Sequence, residues 1–300
     1  MNNKDVIQHY QYEQATGALK YTLTNDYLFR MVLQRDNETL IMLICSVLHL
    51  SRDQVIDATI DNPIEPGKSI DDKEYQLDIV VKLNGNITIN LEMQIVNYHN
   101  WSARSLCYLC RKFDSIARGE DYNTAQPVYQ IGFLDFTLFE DHPEFFARYQ
   151  MRSASDGYLY TDKFNLFVVE LRHTDIATDE DKLYGIDVWA KLFKATTWEE
   201  IKMITQSNPS LNSAAEALFV STANQDILEQ CRIREDNIAH EKYQAEKIQS
   251  LTEENESLID ENESLTNENE RLRKLWRRMA SVLRRHAIDA LVTTRLVLRW

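Results

Sequence analysis

The sequence predicts a mixed α/β domain followed by a long helical extension. Two stretches of strand length, 75–83 and 86–96, are rich in β-branched residues and are separated by Asn84-Gly85, a strong signal for a tight β-hairpin. On both sides of this hairpin, apolar residues recur at helical spacing, which predicts flanking helices. From about residue 241 the composition changes: the chain is rich in Glu, Asn, Gln and Ser and lacks Gly and Pro, which is compatible with an uninterrupted helical extension.

The remaining elements follow from apolar periodicity and from turn residues. Thr24 or Asn25 can cap the first helix, and Asn62-Pro63 ends the first strand. In chain order we expect a helix over 24–49, a strand over 53–64, the hairpin, a helix over 101–118, strands over 127–139, 145–151 and 163–171, and helices over 182–195, 197–205 and 211–240.

Acidic residues of the hairpin are the main candidates for chemistry. Asp78 lies in the first hairpin stretch, and Glu92 and Gln94 lie in the second. Because side chains alternate along a strand, Glu92 and Gln94 are expected on one face. Two carboxylates from adjacent strands that face the same way can bind a divalent metal through hard oxygen ligands. The alternative for Asp78 is an ordinary strand-end residue that pairs with Lys73 or Lys82.

These residues belong to a longer series of short motifs in a fixed order. The series comprises Leu23-Thr24-Asn25-Asp26 with Phe29-Arg30, Leu77-Asp78, Leu91-Glu92-Met93-Gln94, Arg104 to Tyr108, Gly119-Glu120, Pro127 to Ile131, and Phe167 to Leu171. Together they resemble the PD-(D/E)XK nuclease superfamily, and more closely its recombination-promoting nuclease branch, the PD-(D/E)XK nuclease family transposases. The resemblance covers roughly residues 20–200.

The resemblance implies a restriction-endonuclease-like core of helix, three strands, helix and strand. It also implies a Mg²⁺ ion held by Asp78 and Glu92, and double-stranded DNA as the substrate. Gln94 would orient the attacking water or a phosphate oxygen, although most of the superfamily has Lys there and a neutral amide brings no positive charge. The family motif also places Asp26 beside the site, but an acidic residue in the first turn of a helix is favoured by the helix dipole alone.

Three arginines are candidate DNA contacts. Arg30 lies one helical turn after Asp26, where the family more often has Lys. Arg104 and Arg111 lie on the helix that follows Gln94 and could bind phosphates, or they could be solvated helix charges.

Composition restricts the cellular setting. The chain of 300 residues has no apolar stretch of the roughly 18 residues needed to cross a bilayer, and its first residues carry no apolar signal segment. Its four cysteines are few and scattered, which favours reduced thiols and a cytoplasmic location. Cys107 and Cys110 lie in a predicted helix, and we expect them to pack in the core; a metal-binding or redox role is the alternative.

The C-terminal region predicts self-association. Leucine recurs every seventh residue, with asparagine three positions before the last three of these leucines, at Leu251, Leu258, Leu265, Leu272 and Asn255, Asn262, Asn269. This pattern is typical of a parallel coiled coil and predicts a homodimer, although buried asparagines make it a weak one. A single solvated helix is the alternative. Residues 271–300 carry nine Lys and Arg against one Asp, and they could bind DNA, an acidic segment of another chain or anionic lipid.

The resulting division is an arm (1–20), a nuclease domain (21–205), a helical connector (206–240), a coiled coil (241–276) and a basic helix (277–300). The leading hypothesis is a Mg²⁺-dependent DNA endonuclease that acts in recombination or in defence against foreign DNA. The alternatives are a non-catalytic DNA-binding or regulatory protein on a degenerate nuclease fold, and a protein whose coiled coil is its main function.

Overall fold

The computed structural model describes residues 11–64, 79–114, 116 and 119–297, with side chains described through residue 284. These residues form a mixed α/β structure, as predicted. Its strands are β1 (Ala58–Ile60), β2 (Ile79–Leu83), β3 (Ile87–Gln94), β4 (Val128–Leu134), β5 (Phe146–Gln150) and β6 (Phe164–Glu170). Its helices are α1 (Asp26–Arg35), α2 (Asn37–Leu48), α3 (Trp101–Phe113), α4 (Asp179–Tyr184), α5 (Ile186–Lys194), α6 (Trp198–Ser207), α7 (Asn212–Thr222) and α8 (Gln225–Val297).

All six strands form one sheet in the order β1-β2-β3-β4-β6-β5. The hairpin of β2 and β3 turns through the three residues Asn84, Gly85 and Asn86, between the paired residues Leu83 and Ile87. Asn84 and Gly85 have φ angles of 49° and 73°, positive values that tight hairpin turns favour at Asn and Gly. Strands β3, β4 and β6 are parallel, and α3 lies in the connection between β3 and β4. Parallel neighbours require such a crossover, so α3 is placed against the sheet beside the end of β3.

Three of the predicted helices are each divided in two, and the one expected over 211–240 divides at Ala223-Asn224, between α7 and α8. The helix expected over 24–49 breaks at Asp36, which leaves the helical conformation and accepts a hydrogen bond from the Thr39 amide at 2.8 Å, so that it caps α2. The helix expected over 182–195 divides at Gly185, whose φ of 71° ends α4. The predicted cap of α1 is Asn25, which accepts from the Leu28 amide.

The two faces of the sheet have different environments. Ile89, Leu91 and Met93 of β3 belong to the main apolar core, which also contains α1 and α2 residues such as Phe29. A smaller apolar cluster covers the opposite face and includes Trp101, the first residue of α3. Because side chains alternate, Glu92 and Gln94 point to this second face.

The chain divides into two compact units between residues 242 and 243. The first contains the sheet, α1 to α7 and the beginning of α8, and the second contains the rest of α8. The five-part division of the chain and the pairing of two α8 helices in a coiled coil stay predictions. No helix in the described part of the chain combines the length and the apolar character needed to cross a membrane.

Candidate active site

Glu92 lies near the end of β3, with only 3% of its surface exposed. Its carboxylate is held on both sides. The Arg104 guanidinium approaches Oε1, with Nη2 at 2.5 Å, and Gln130 Nε2 donates to Oε2 at 3.3 Å. A charge with so little access to water is tolerated because it is both paired and hydrogen bonded.

Gln94 presents its oxygen to the same arginine. Its Oε1 accepts from Arg104 Nη1 at 3.0 Å, and its Nε2 donates to the Val96 carbonyl at 2.8 Å. The second bond fixes the orientation of the amide, because it ties the Gln94 nitrogen to the backbone just after β3. The structure therefore brings Glu92, Gln94 and Arg104 together, and two acceptor oxygens converge on one guanidinium.

Arg104 reaches this position from the second turn of α3. The helix is placed by Trp101, which is 3% exposed and packs over β4. The Arg104 guanidinium also lies over the Tyr108 ring, 5.4 Å from its centre, in a cation–π contact one helical turn on. Its side chain remains 30% exposed, so the arginine contacts the buried carboxylate and solvent at once.

Two further polar residues of this network were not predicted from the sequence. Asn90 and Gln130 are direct neighbours in the β3–β4 register, and Asn90 Nδ2 donates to Gln130 Oε1 at 2.9 Å. This bond leaves the Gln130 amino group directed at Glu92. In the sequence, each of them is a polar residue within a largely apolar strand. Such a residue indicates either a polar pair between neighbouring strands or a functional site.

Asp78 lies outside the described residues. It immediately precedes Ile79, the first residue of β2, and Ile79 pairs with Leu91, the residue before Glu92. Its role as a metal ligand stays a prediction.

Asp26, itself buried, belongs to a second, partly buried ionic cluster. Both of its oxygens accept from Arg234 Nε, at 2.8 and 2.9 Å, and Arg234 Nη1 lies 2.8 Å from Glu241 Oε1. Burial raises the pKa of Asp26, and the bonds from Arg234 oppose this rise. Tyr98, four residues after Gln94, joins the cluster through a hydrogen bond with Glu241; burial and this bond raise the pKa of Tyr98. Arg234 is on α8, and nothing in its sequence position indicated a contact with Asp26.

The other predicted DNA contacts differ in their access to solvent. Arg30 is 1% exposed and donates to the Asn62 carbonyl, so a phosphate contact would require its guanidinium to leave a buried position. Arg111 is exposed near the end of α3. Arg104 and Arg111 are therefore accessible from outside, whereas Arg30 is not.

The prediction that Cys107 and Cys110 pack in the core is wrong. Both are exposed free thiols, because they lie on the side of α3 that faces away from the sheet, whereas Trp101, Ser105 and Leu109 are buried. The remaining two cysteines, Cys45 and Cys231, are free and buried.

A divalent cation fits the donor chemistry around Glu92. Within the described residues no group of three or more His, Cys, Asp and Glu side chains is close enough to hold a metal. However, the Glu92 and Gln94 side-chain oxygens already converge on a positive charge, and such oxygens are the ligands that hard cations prefer. Asp78, the second ligand predicted from the sequence, lies outside the described residues.

Comparison with known proteins identifies the family of this chain. A family model described as PD-(D/E)XK nuclease family transposase matches residues 23–254. The chain belongs to this family. No curated protein and no solved structure matches it. The PD-(D/E)XK match includes the whole sheet, α1 to α7 and the first part of α8, and it indicates a nuclease-like function.

Proposed function

We propose that this PD-(D/E)XK protein is a Mg²⁺-dependent endonuclease that hydrolyses phosphodiester bonds of double-stranded DNA. Its biological setting would be DNA recombination or defence against foreign DNA, in the cytoplasm. The observation that carries the proposal is the convergence of Glu92 and Gln94 on one cationic group at the end of a buried strand.

Glu92 and Asp78 are the proposed metal ligands. When bound, Mg²⁺ would polarise a phosphoryl oxygen and activate water. The protein's own residues would position the reactants. Gln130 holds one Glu92 oxygen and thereby orients the carboxylate, and Gln94 presents an amide oxygen that can accept a hydrogen bond from water. Asp26, at the start of α1, is proposed to act beside the site.

DNA would approach along α3. Arg104 and Arg111 are seven residues apart, about two helical turns, so they lie on one side of this helix. Both guanidiniums reach solvent and can bind phosphates. Cleavage of both strands needs two active sites, and a homodimer formed through a parallel coiled coil of α8 would supply them.

Plasmid cleavage tests the proposal. Supercoiled plasmid is incubated with Mg²⁺ and with wild type, Asp78→Asn or Glu92→Gln, each checked for folding by circular dichroism. We expect nicked and linear products with wild type and loss of at least 100-fold with either variant, because each removes one negative ligand. Activity that survives in both variants would place the site elsewhere.

A second function is favoured by one observation. The Arg104 ion pair satisfies Glu92 without a metal, as in a protein that binds DNA but does not cut it. A wild-type protein that shifts DNA on a gel, yet cleaves nothing with Mg²⁺ or Mn²⁺, would support this non-catalytic alternative.

A further inference from the structure

The candidate site has a positive charge, but the charge does not come from position 94, where most of the superfamily has lysine. Gln94 is neutral, so β3 itself supplies no cation beside Glu92. The guanidinium of Arg104 lies there instead, contacting both Glu92 and Gln94 from α3.

This pair has two properties that a purely structural ion pair does not need. Glu92 is almost fully buried, whereas the Arg104 side chain is 30% exposed, so an incoming phosphate can reach the arginine while it still contacts Glu92. The guanidinium also rests on the Tyr108 ring, a contact that does not depend on Glu92 and can hold the arginine when the ion pair opens.

We propose that Arg104 is the phosphate-binding cation of this site, which holds Glu92 in the free protein and is released to a DNA phosphate when a divalent cation takes Glu92. The inference rests on the proposed function, because it assumes that Glu92 is a metal ligand. It assigns to Arg104 the positive charge that Gln94 lacks.

Arg104 and a divalent cation compete for the Glu92 carboxylate, and this competition affects the affinity for the metal. A cation that binds Glu92 must first displace Arg104, so the ion pair weakens metal binding in the free protein. DNA that attracts the guanidinium weakens the same pair and therefore strengthens metal binding. Metal and DNA are thus coupled through Arg104, and each raises the affinity for the other by the same factor.

Mn²⁺ binding without DNA tests the competition directly. Free Mn²⁺ is measured by electron paramagnetic resonance in titrations of the full chain. We expect Arg104→Gln to bind Mn²⁺ about tenfold more tightly than wild type, and Arg104→Lys, which keeps the charge, to lie closer to wild type. Lys112→Gln removes one charge from the same helix and is the matched control, and Glu92→Gln is expected to lose binding. Thermal unfolding of each variant shows whether it is folded.

A rescue experiment tests the assignment of the charge. Arg104→Gln is expected to lower plasmid cleavage by about 100-fold, as for loss of one preorganised transition-state contact. Adding Gln94→Lys to that variant places a cation on β3. The double variant is expected to cleave plasmid at least tenfold faster than Arg104→Gln alone.

The outcomes separate this inference from the proposed function. If wild type cleaves DNA but Arg104→Gln binds Mn²⁺ no more tightly, or cleaves as fast as wild type, the role of Arg104 is overturned and the nuclease stands. If wild type neither binds Mn²⁺ nor cleaves DNA, both are overturned.

Discussion

Trp101 lies so close to Gly132 that a Cβ atom on the glycine would stand 2.1 Å from Trp101 Cζ2. Gly132 is the direct neighbour of Glu92 in the β3–β4 register. The absence of a side chain on β4 therefore lets the first turn of α3 approach the sheet at the strand position that carries Glu92. This approach determines where Arg104 stands, three residues further along α3.

Gly132→Ala is expected to destabilise the protein by about 2 kcal/mol, because the new methyl group overlaps a buried indole that cannot move without shifting α3. Urea unfolding followed by circular dichroism measures this change. The same shift would disturb the contact between Arg104 and Glu92, so we also expect weaker cleavage.

Adding Trp101→Leu to Gly132→Ala provides the control. A smaller side chain makes room for the methyl group, so the double variant is expected to lose less than the sum of the two single changes. Strict additivity would show that the close approach to Trp101 is not the cause.

Asp26 and Arg234 join α1 to the beginning of α8. Their side chains are only 8% and 20% exposed, so Arg234→Gln leaves the Asp26 carboxylate largely cut off from water and without its cation. Arg234→Gln is therefore expected to cost about 3 kcal/mol of unfolding free energy. Asp26→Asn is expected to cost less, because Arg234 keeps its pair with Glu241, and the double variant is expected to cost less than the sum of the two.

Arg232 offers a matched comparison two residues earlier on the same helix. It makes two ion pairs, with Glu229 and Asp236, but its side chain is 53% exposed. Arg232→Gln is expected to change the unfolding free energy by under about 1 kcal/mol. If Arg232→Gln and Arg234→Gln lowered the unfolding free energy equally, burial would not be what makes the Arg234 ion pair stabilising.

Glu170 makes stability depend on pH. It ends β6 with 3% of its surface exposed, and His173 Nε2 lies 3.5 Å from its Oε2. The pKa of Glu170 is raised to about 7, chiefly by burial; the Leu138 amide opposes the rise, and nearby Glu144 and Glu140 add to it. The folded state therefore binds a proton more strongly than the unfolded state, whose carboxyl has the ordinary value of 4.5.

Between pH 4.5 and about pH 7, the contribution of Glu170 to the unfolding free energy falls as the pH rises. The total fall is about 3 kcal/mol, because each unit of pKa difference corresponds to about 1.36 kcal/mol. Glu170→Gln removes the buried charge, so we expect the variant to gain stability relative to wild type at pH 8 and to lose that advantage at pH 5. Urea unfolding at both pH values measures the difference. His173→Gln is the control, and a pH dependence abolished by that change instead would assign the effect to the histidine.

The leucines of α8 are half exposed in a single chain. Leu258 and Leu265 are 48% and 50% exposed. If they form the proposed dimer contact, Leu258→Gln with Leu265→Gln is expected to convert a two-chain mass to a one-chain mass in light scattering, because apolar d positions drive such association.

Ser257→Gln with Ser264→Gln alters the neighbouring positions outside this leucine column and is expected to leave the mass unchanged. A one-chain mass for wild type at all concentrations tested would mean that α8 is a solvated single helix.

The sequence alone determined much of the architecture. The hairpin followed from Asn84-Gly85 between alternating apolar residues, because few other residue pairs adopt the two consecutive positive φ angles of such a turn. The sharing of one face by Glu92 and Gln94 followed from the period of two along a strand. These features depend on residues close together in the chain, and so does the helical nature of 241–297.

Only the tertiary structure decided which residues surround that face. Arg104 contacts Glu92 because α3 crosses back over β4, and that crossing depends on the fit of Trp101 over Gly132. Asp26 meets Arg234 across more than 200 residues of chain, a contact with no local signature. The burial of Arg30 and the exposure of Cys107 and Cys110 were likewise set by which side of each helix meets the sheet. Periodicity identifies an apolar side of a helix, but only the packed fold shows which polar residues that side brings together.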